Sequence, residues 1–309
     1  MIRLYRENDW PQLLELYNRF MTADRITEEF FIQHILLSPN FDPQGVFVDE
    51  ENGKITAWAI AQTVRRNYDI WGSQAEKLSG KGFIFLPVTD ELDRAKALIA
   101  ACEKYLAAAG CKLFRCGAPG YTLFANGVDP ELYPAVHRAF EESGYHSCGI
   151  SYSMHRRLDN YIPSAEVQAL YEERVREGFE FKVCEYSDLP AIRRMLENSD
   201  LKGWMHLPLR KAEQHKVHEI VIAKYQGDAV GYCQYNYFDN PERIGPFGVD
   251  GRMRGKNIGT VMIAKLFDVM SRRNVRYAWF ASCAPERINF YSRNGLEVFR
   301  KKSVLIKEI

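Results

Sequence analysis

The chain has 309 residues, 46% hydrophobic and 26% charged, proportions of a globular protein long enough for two cores. Its 41 basic and 40 acidic residues leave a net charge of +1, which excludes a global field drawing it to nucleic acid or to an anionic membrane; any basic patch has to be local. No apolar run is long enough to span a bilayer, and the start Met1-Ile2-Arg3-Leu4-Tyr5-Arg6 has no apolar signal core, so a cytoplasmic protein is expected.

In chain order, the first half predicts a strand at 2–5, a helix at 10–20 and a second helix at 27–37 ended by Pro39. Strands at 45–48 and 55–64 flank Glu51-Asn52-Gly53, an Asn-Gly hairpin signal. A strand at 82–88 and a helix at 91–109 stopping at Gly110 follow. Then come a strand at 112–116, a helix at 132–143 ending at Gly144, and a strand at 147–155. The charged amphipathic stretch 163–178 reads as a helical connector.

The second half repeats this order. A strand at 179–185 leads into Ser187-Asp188-Leu189-Pro190, where Ser or Asp caps a helix running to about Asn198. Strands at 219–225 and 229–237 form a hairpin around Gln226-Gly227-Asp228. A strand at 244–249 precedes a Gly-containing turn and a helix at 259–273. A strand at 276–282, a helix at 285–293, Gly295 and a strand at 298–306 close the unit. The repeat lies in element order and not in residue identity, which implies a duplicated α/β (α+β) unit with a mixed sheet: domains at 1–158 and 179–309 joined by 159–178. The odd set of seven cysteines contains no Cys-x-x-Cys pair and several lie in strand-like runs, so buried reduced thiols are expected.

The most chemistry per residue lies in Gly245-Pro246-Phe247-Gly248-Val249 followed by Arg254-Gly255-Lys256-Asn257-Ile258-Gly259. Glycine inside a strand marks a bulge or a close approach by another backbone, and Pro246 cannot donate a ladder bond, so the strand fits an edge or a splay. A strand that parts from its neighbour leaves amides free for an extended amide ligand. The turn then enters a helix, whose N-terminus offers unpaired N–H groups and partial positive charge to phosphate. Gly255 and Gly259 admit close approach, Asn257 tolerates a left-handed conformation, and Arg252, Arg254 and Lys256 add positive charge. An amide-bearing tail on a pyrophosphate describes coenzyme A; a plain exposed turn is the alternative.

Residues 249–260 resemble the acetyl-coenzyme A signature of the GNAT acyltransferases, Arg/Gln-x-x-Gly-x-Gly/Ala, with Arg254 first, Asn257 in the place of the first glycine and Gly259 last. The resemblance implies two tandem GNAT-like domains, each a mixed, mostly antiparallel sheet flanked by helices, with acetyl-coenzyme A as cosubstrate. It also implies that the backbone of Phe247, Gly248 and Val249 lines the pantetheine arm, and that residues 254–260, from Arg254 through Lys256 and Ile258 to Thr260, hold the phosphates. Phe290-Tyr291-Ser292-Arg293-Asn294-Gly295-Leu296 is similar to the second signature, Phe-Tyr-x-x-x-Gly-Phe, which implies that Tyr291 protonates the leaving thiolate. A packed aromatic is the alternative for Tyr291. The asparagine that the family often has seven residues earlier is Ala284 here.

For the general base, Glu242 leads Asp239, Tyr235 and Tyr237, each also readable as a surface or packing residue. His206, His215 and His218 lack companions for a metal site and read as solvated loop histidines. At the place of the phosphate turn, the first half has Leu86-Pro87-Val88-Thr89-Asp90-Glu91-Leu92-Asp93-Arg94, without glycine and with three acids, so Thr89 or Asp90 is a cap there. This half resembles the degenerate repeat of two-repeat members such as mycothiol synthase. Tyr121, Phe124 and Tyr133 are candidate cleft-lining aromatics, and the half is expected to shape the acceptor site or a homodimer contact.

The expected function is N-acetyl transfer from acetyl-coenzyme A to an amine of a small-molecule acceptor, with no metal and neither nucleic acid nor membrane as partner. A non-catalytic acyl-coenzyme A binding or regulatory protein is the second reading, motivated by Asn257 and Ala284. A dinucleotide-binding fold is disfavoured, because no Gly-x-Gly-x-x-Gly with a downstream acid follows a first strand.

Overall fold

The computed structural model describes residues 1–67, 74–85, 87–117 and 126–309; the expectations for Leu86, Tyr121 and Phe124 lie outside the described residues. The first half runs β1 (Ile2–Leu4), α1 (Trp10–Phe20), α2 (Glu28–Phe31), β2 (Val46–Glu51), β3 (Lys54–Thr63), α3 (Gln74–Lys77), β4 (Lys81–Ile84), α4 (Leu92–Ala108), β5 (Leu113–Cys116), α5 (Pro134–Glu142) and β6 (His146–Arg157). After the connecting helix α6 (Ala165–Arg176), the second half runs β7 (Phe179–Val183), α7 (Leu189–Glu197), α8 (His206–Glu213), β8 (Ile220–Tyr225), β9 (Asp228–Gln234), β10 (Phe247–Val249), α9 (Ile258–Arg272), β11 (Tyr277–Cys283), α10 (Ile288–Arg293) and β12 (Glu297–Glu308).

Local chemistry accounts for most of these boundaries. Asn52 and Gly53 take φ of +51° and +75°, the primed-turn geometry that matches strand twist. Ser164 caps α6 by accepting from the Val167 amide at 3.3 Å. Three expectations change. The helix foreseen at 27–37 is α-helical only over Glu28–Phe31 and then widens into a π turn at Ile32–Leu36. Asp188 does not cap α7; its carboxylate accepts from the Glu185 amide and pairs with Lys182 and Lys224. His206 opens the short helix α8, which tolerates Pro208 because the first turn needs no N–H there.

The largest departure is in the sheets. Their order is β1-β2-β3-β4-β5-β12-β6-β11 in an eight-stranded sheet and β10-β9-β8-β7 in a four-stranded one. Each half's last strand lies beside the fifth strand of the other half. Thus β12 pairs antiparallel with β5 (Glu308 opposite Leu113), and β11 pairs antiparallel with β6 (Tyr277 opposite Arg157). The last strands β6 and β12 pair with each other from Glu297–His155 to Ile306–His146. The cores record the exchange: Leu305 of β12 is buried in the first half's core, and Met154 of β6 in that of the second. All cysteines are free, and only Cys148 is exposed. Among the described residues no helix is long and apolar enough to cross a membrane.

Candidate active site

The site begins where two parallel strands part. The Trp279 amide of β11 donates to the Glu242 carbonyl at 2.9 Å, and the Ile244 amide donates to the Trp279 carbonyl at 2.8 Å. At Gly245, with φ of +128°, the chain swings toward β9: the Gly245 amide donates to the Gln234 carbonyl at 2.9 Å. The strand foreseen at 244–249 is therefore a ladder only over Phe247–Val249, paired with β9 alone, and its other edge faces an open wedge. Polar backbone left unpaired in this way is an edge that an amide-bearing chain can satisfy.

Below the wedge the chain turns into α9. Gly255 and Asn257 take φ of +83° and +57°, so Asn257 adopts the left-handed geometry a glycine would. Asn257 is the N-cap and its side chain makes no capping bond, so the first-turn amides of α9 stay available to an anion. The nearby cations are partly spoken for. Arg252 is held by the buried Asp250 at 2.6 Å, and Arg254 by Asp200 at 2.8 Å in a solvent-exposed pair that an arriving phosphate can compete with.

Two glycines assigned to ligand approach also serve the protein's own packing. A Cβ on Gly248 would meet Leu201 Cδ1 at 2.7 Å and Trp204 Cζ3 at 2.9 Å. A Cβ on Gly259 would meet Phe290 at 3.3 Å and Phe247 at 3.6 Å. Leu201, Trp204 and the rings of Phe247 and Phe290 are thus parts of the site that sequence reasoning missed; only the aromatic next to Tyr291 gave a signal.

Strand, turn and α10 enclose one cavity of about 410 Å³. It is lined by Phe247, Gly248, Val249, Arg254, Gly255, Asn257, Ile258, Gly259, Thr260 and Tyr291, so nine of the ten expected coenzyme residues meet the expected acid there, and Lys256 stays outside. Arg287, one helical turn before Tyr291, also lines it and was not foreseen. The Tyr291 ring is buried against Phe280 at 4.5 Å and Phe290 at 5.0 Å between centroids. Its hydroxyl makes no hydrogen bond with another described residue. Burial pushes the phenol up to about 12, so it carries its proton at neutral pH.

Glu242 does not line this cavity. It lines two others, of about 990 and 300 Å³, that lie between the halves and share Ala23, Asp24, Glu242, Arg243 and Trp279. Burial raises its carboxyl, the direction that suits a base working near neutrality. Its rivals are engaged: Asp239 pairs with Lys216 at 2.9 Å, and the Tyr235 hydroxyl accepts from Arg273 at 2.8 Å. The Tyr237 ring packs tilted against Phe238, 4.1 Å between centroids. Tyr133, buried, donates to Asp24 at 2.6 Å and lines neither cavity. No group of three metal-ligating side chains occurs among the described residues; His215 pairs with the Tyr186 hydroxyl at 3.1 Å.

Residues 189–296 match the model of the acetyltransferase (GNAT) family. No curated protein matches the chain at a significant level. Among solved structures, a GCN5-related glucosamine N-acetyltransferase region of a fungal multi-domain GH3 β-N-acetylglucosaminidase aligns with a TM-score of 0.77 at 14% identity, over 99% of this chain and 38% of that one. A GCN5-related N-acetyltransferase from Sphaerobacter thermophilus aligns with a TM-score of 0.68 at 17% identity, covering 100% and 95% of the two chains. A tandem GNAT protein from the clavulanic acid biosynthesis pathway aligns with a TM-score of 0.64 at 14% identity, covering 100% and 98%. At these identities the likeness is one of fold, and it spans both halves.

Proposed function

We infer, from the match of residues 189–296 to the GNAT acetyltransferase family, an N-acetyltransferase that moves an acetyl group from acetyl-coenzyme A to an amine of a small molecule. The observation that carries this reading is the single cavity joining the unpaired edge of Phe247–Val249, the open N-terminus of α9 and the unpartnered hydroxyl of Tyr291. The residues fit the cosubstrate: first-turn amides for pyrophosphate, a free strand edge for pantetheine, and a protonated phenol at the far end.

In the reaction the acceptor nitrogen bonds to the acetyl carbon, the carbon–sulfur bond breaks, the sulfur leaves as thiol and the nitrogen gives up a proton. Tyr291 supplies the proton to the sulfur. Glu242, on the far side of the strands from that cavity, receives the proton of the amine, directly or through water. Residues 179–309 hold the coenzyme, and residues 1–158 form a degenerate half that shapes the acceptor side, because the cavities containing Glu242 are walled by both.

The test is release of free thiol from acetyl-coenzyme A with a panel of amines, alongside thermal shift with coenzyme A. Coenzyme-dependent stabilisation with acceptor-dependent thiol release is expected. Stabilisation without thiol release for any amine would favour the non-catalytic binder.

A further inference from the structure

Several enclosed cations among the described residues have an acid. Arg300 is held by Asp24 at 2.7 Å and Asp129 at 3.1 Å, and Lys211 is paired with Glu219. Two cations that line the cavities between the halves have no ion pair among the described residues. The Arg243 guanidinium lies over Tyr237, Phe238 and Trp279, 5.3, 5.1 and 5.3 Å from their ring centroids, and has neither a carboxylate nor a hydrogen-bond acceptor among the described residues. Lys302, 1% exposed, donates to Ser153 Oγ and the Ala281 carbonyl, each at 2.6 Å, and also has no acid. An ammonium has three donors, so one remains.

Both line the cavity of about 300 Å³, and Arg243 also lines the larger one. The acid nearest in role, Asp24, is taken by Arg300 and Tyr133. Enclosing charge without a counter-ion is unfavourable, and a guanidinium stacked among rings keeps its five donors in a fixed fork suited to a planar anion. Burial, with the neighbouring charge of Arg300, lowers Lys302 to about 8, and the charges of Asp24 and Asp129 offset this only in part. Glu242 lines both cavities and has no cation partner among the described residues, leaving it free for an amine.

We propose that Arg243, with Lys302, binds a carboxylate of the acceptor, so that the acceptor is an amine that also carries a carboxylate, seated between the halves with its nitrogen toward Glu242. This rests on the transferase reading above. Arg243 chooses the acceptor, and the coenzyme cavity does not contain it.

The experiment uses the full chain with acetyl-coenzyme A and a thiol-release assay. Its acceptors are α- and ω-amino acids, each beside its carboxamide, with glucosamine and glucosamine phosphate as further arms. Expected is a preference for the acid over its amide of about a hundredfold in kcat/KM, because the amide keeps one acceptor for the guanidinium but loses the charge. Arg243→Met should raise KM for the acid, leave KM for acetyl-coenzyme A unchanged and erase the preference, and Arg243→Lys should restore part of it. Equal use of acid and amide, or preference for the neutral amino sugar or its phosphate, overturns the proposal while the transferase reading stands. If no amine releases thiol, that reading fails, and calorimetric titration of the same amino acids decides the anion site alone. Binding lost in Arg243→Met supports it, and no binding to the wild type overturns it.

Discussion

The Ile244 amide donates to the Trp279 carbonyl at 2.8 Å, and beyond that bond β10 and β11 share no ladder among the described residues. This is the hinge of the wedge. On one side lies the cavity of Phe247–Val249, α9 and Tyr291; on the other lie Glu242 and Arg243, which face the cavities between the halves. The cavity proposed for the coenzyme and those proposed for the acceptor thus flank the same parting of strands, and direct transfer requires that the two bound molecules meet through it.

Tyr291→Phe keeps the ring against Phe280 and removes only a hydroxyl without a partner in the chain. Turnover should fall by roughly ten- to a thousandfold, as for the loss of one general acid. Coenzyme affinity and melting temperature should barely move. Turnover within twofold of the wild type would make water the proton source.

Gly259→Glu places a negative charge at the α9 N-terminus and should abolish the coenzyme-induced rise in melting temperature. Gly259→Ala must displace the Phe290 ring 3.3 Å away and should cost about 1 kcal/mol of stability with coenzyme binding weakened but present. Asp90→Lys, in the first half, should leave the coenzyme effect intact. The reverse pattern would move the coenzyme site to the first half.

Asn257 sits at φ of +57°. Asn257→Ala should lose about 1 kcal/mol in urea unfolding, the cost of a left-handed non-glycine residue without a short polar side chain. Asn257→Gly should be neutral within a few tenths of a kcal/mol and should bind coenzyme at least as well. Equal destabilisation by both would mean that the amide group, and not the backbone, is what the position needs.

Residues 1–158 and 179–309 expressed apart should each be insoluble or unfolded. Without β12, β5 and β6 lose the strand between them, and without β6, β11 loses its ladder partner. Co-expression of 1–158 with 159–309 should restore a soluble complex. Sedimentation and circular dichroism of the separate pieces check this, and two independently folded halves would contradict it.

His34 is held down to about 4 by burial and by the positive charges of Arg210 and Arg243. Since its folded value lies below the unfolded one near 6.5, the unfolded chain binds a proton in this window that the folded chain lacks. The contribution is full above about pH 6.5 and is lost as pH falls toward 4. His34→Gln should flatten the fall in the urea midpoint between pH 7 and 5; an unchanged slope would assign the acid sensitivity to the carboxylates instead.

What the sequence alone determined is local. The Asn52-Gly53 hairpin, α1, α9 and the left-handed Asn257 were legible, because each depends on backbone preferences of adjacent residues or on a short periodicity; that Tyr291 belongs with the turn at 254–259 was implied by the family resemblance alone. The splay was half legible: Gly245 and Pro246 announced that the strand would leave its neighbour, but not that Gly248 would be pressed by Leu201 and Trp204. Tertiary structure alone decided which strands β12 lies between. Its alternating pattern is equally satisfied beside either half's fifth strand, so nothing within 297–308 distinguishes the two. The choice is made by partners remote in the chain, such as Asp24 for Arg300, 276 residues away, and Leu305 in the first half's core. The same remoteness hid Arg243 and Lys302: an unpaired charge can be recognised only once every acid that might have paired with it has been placed elsewhere.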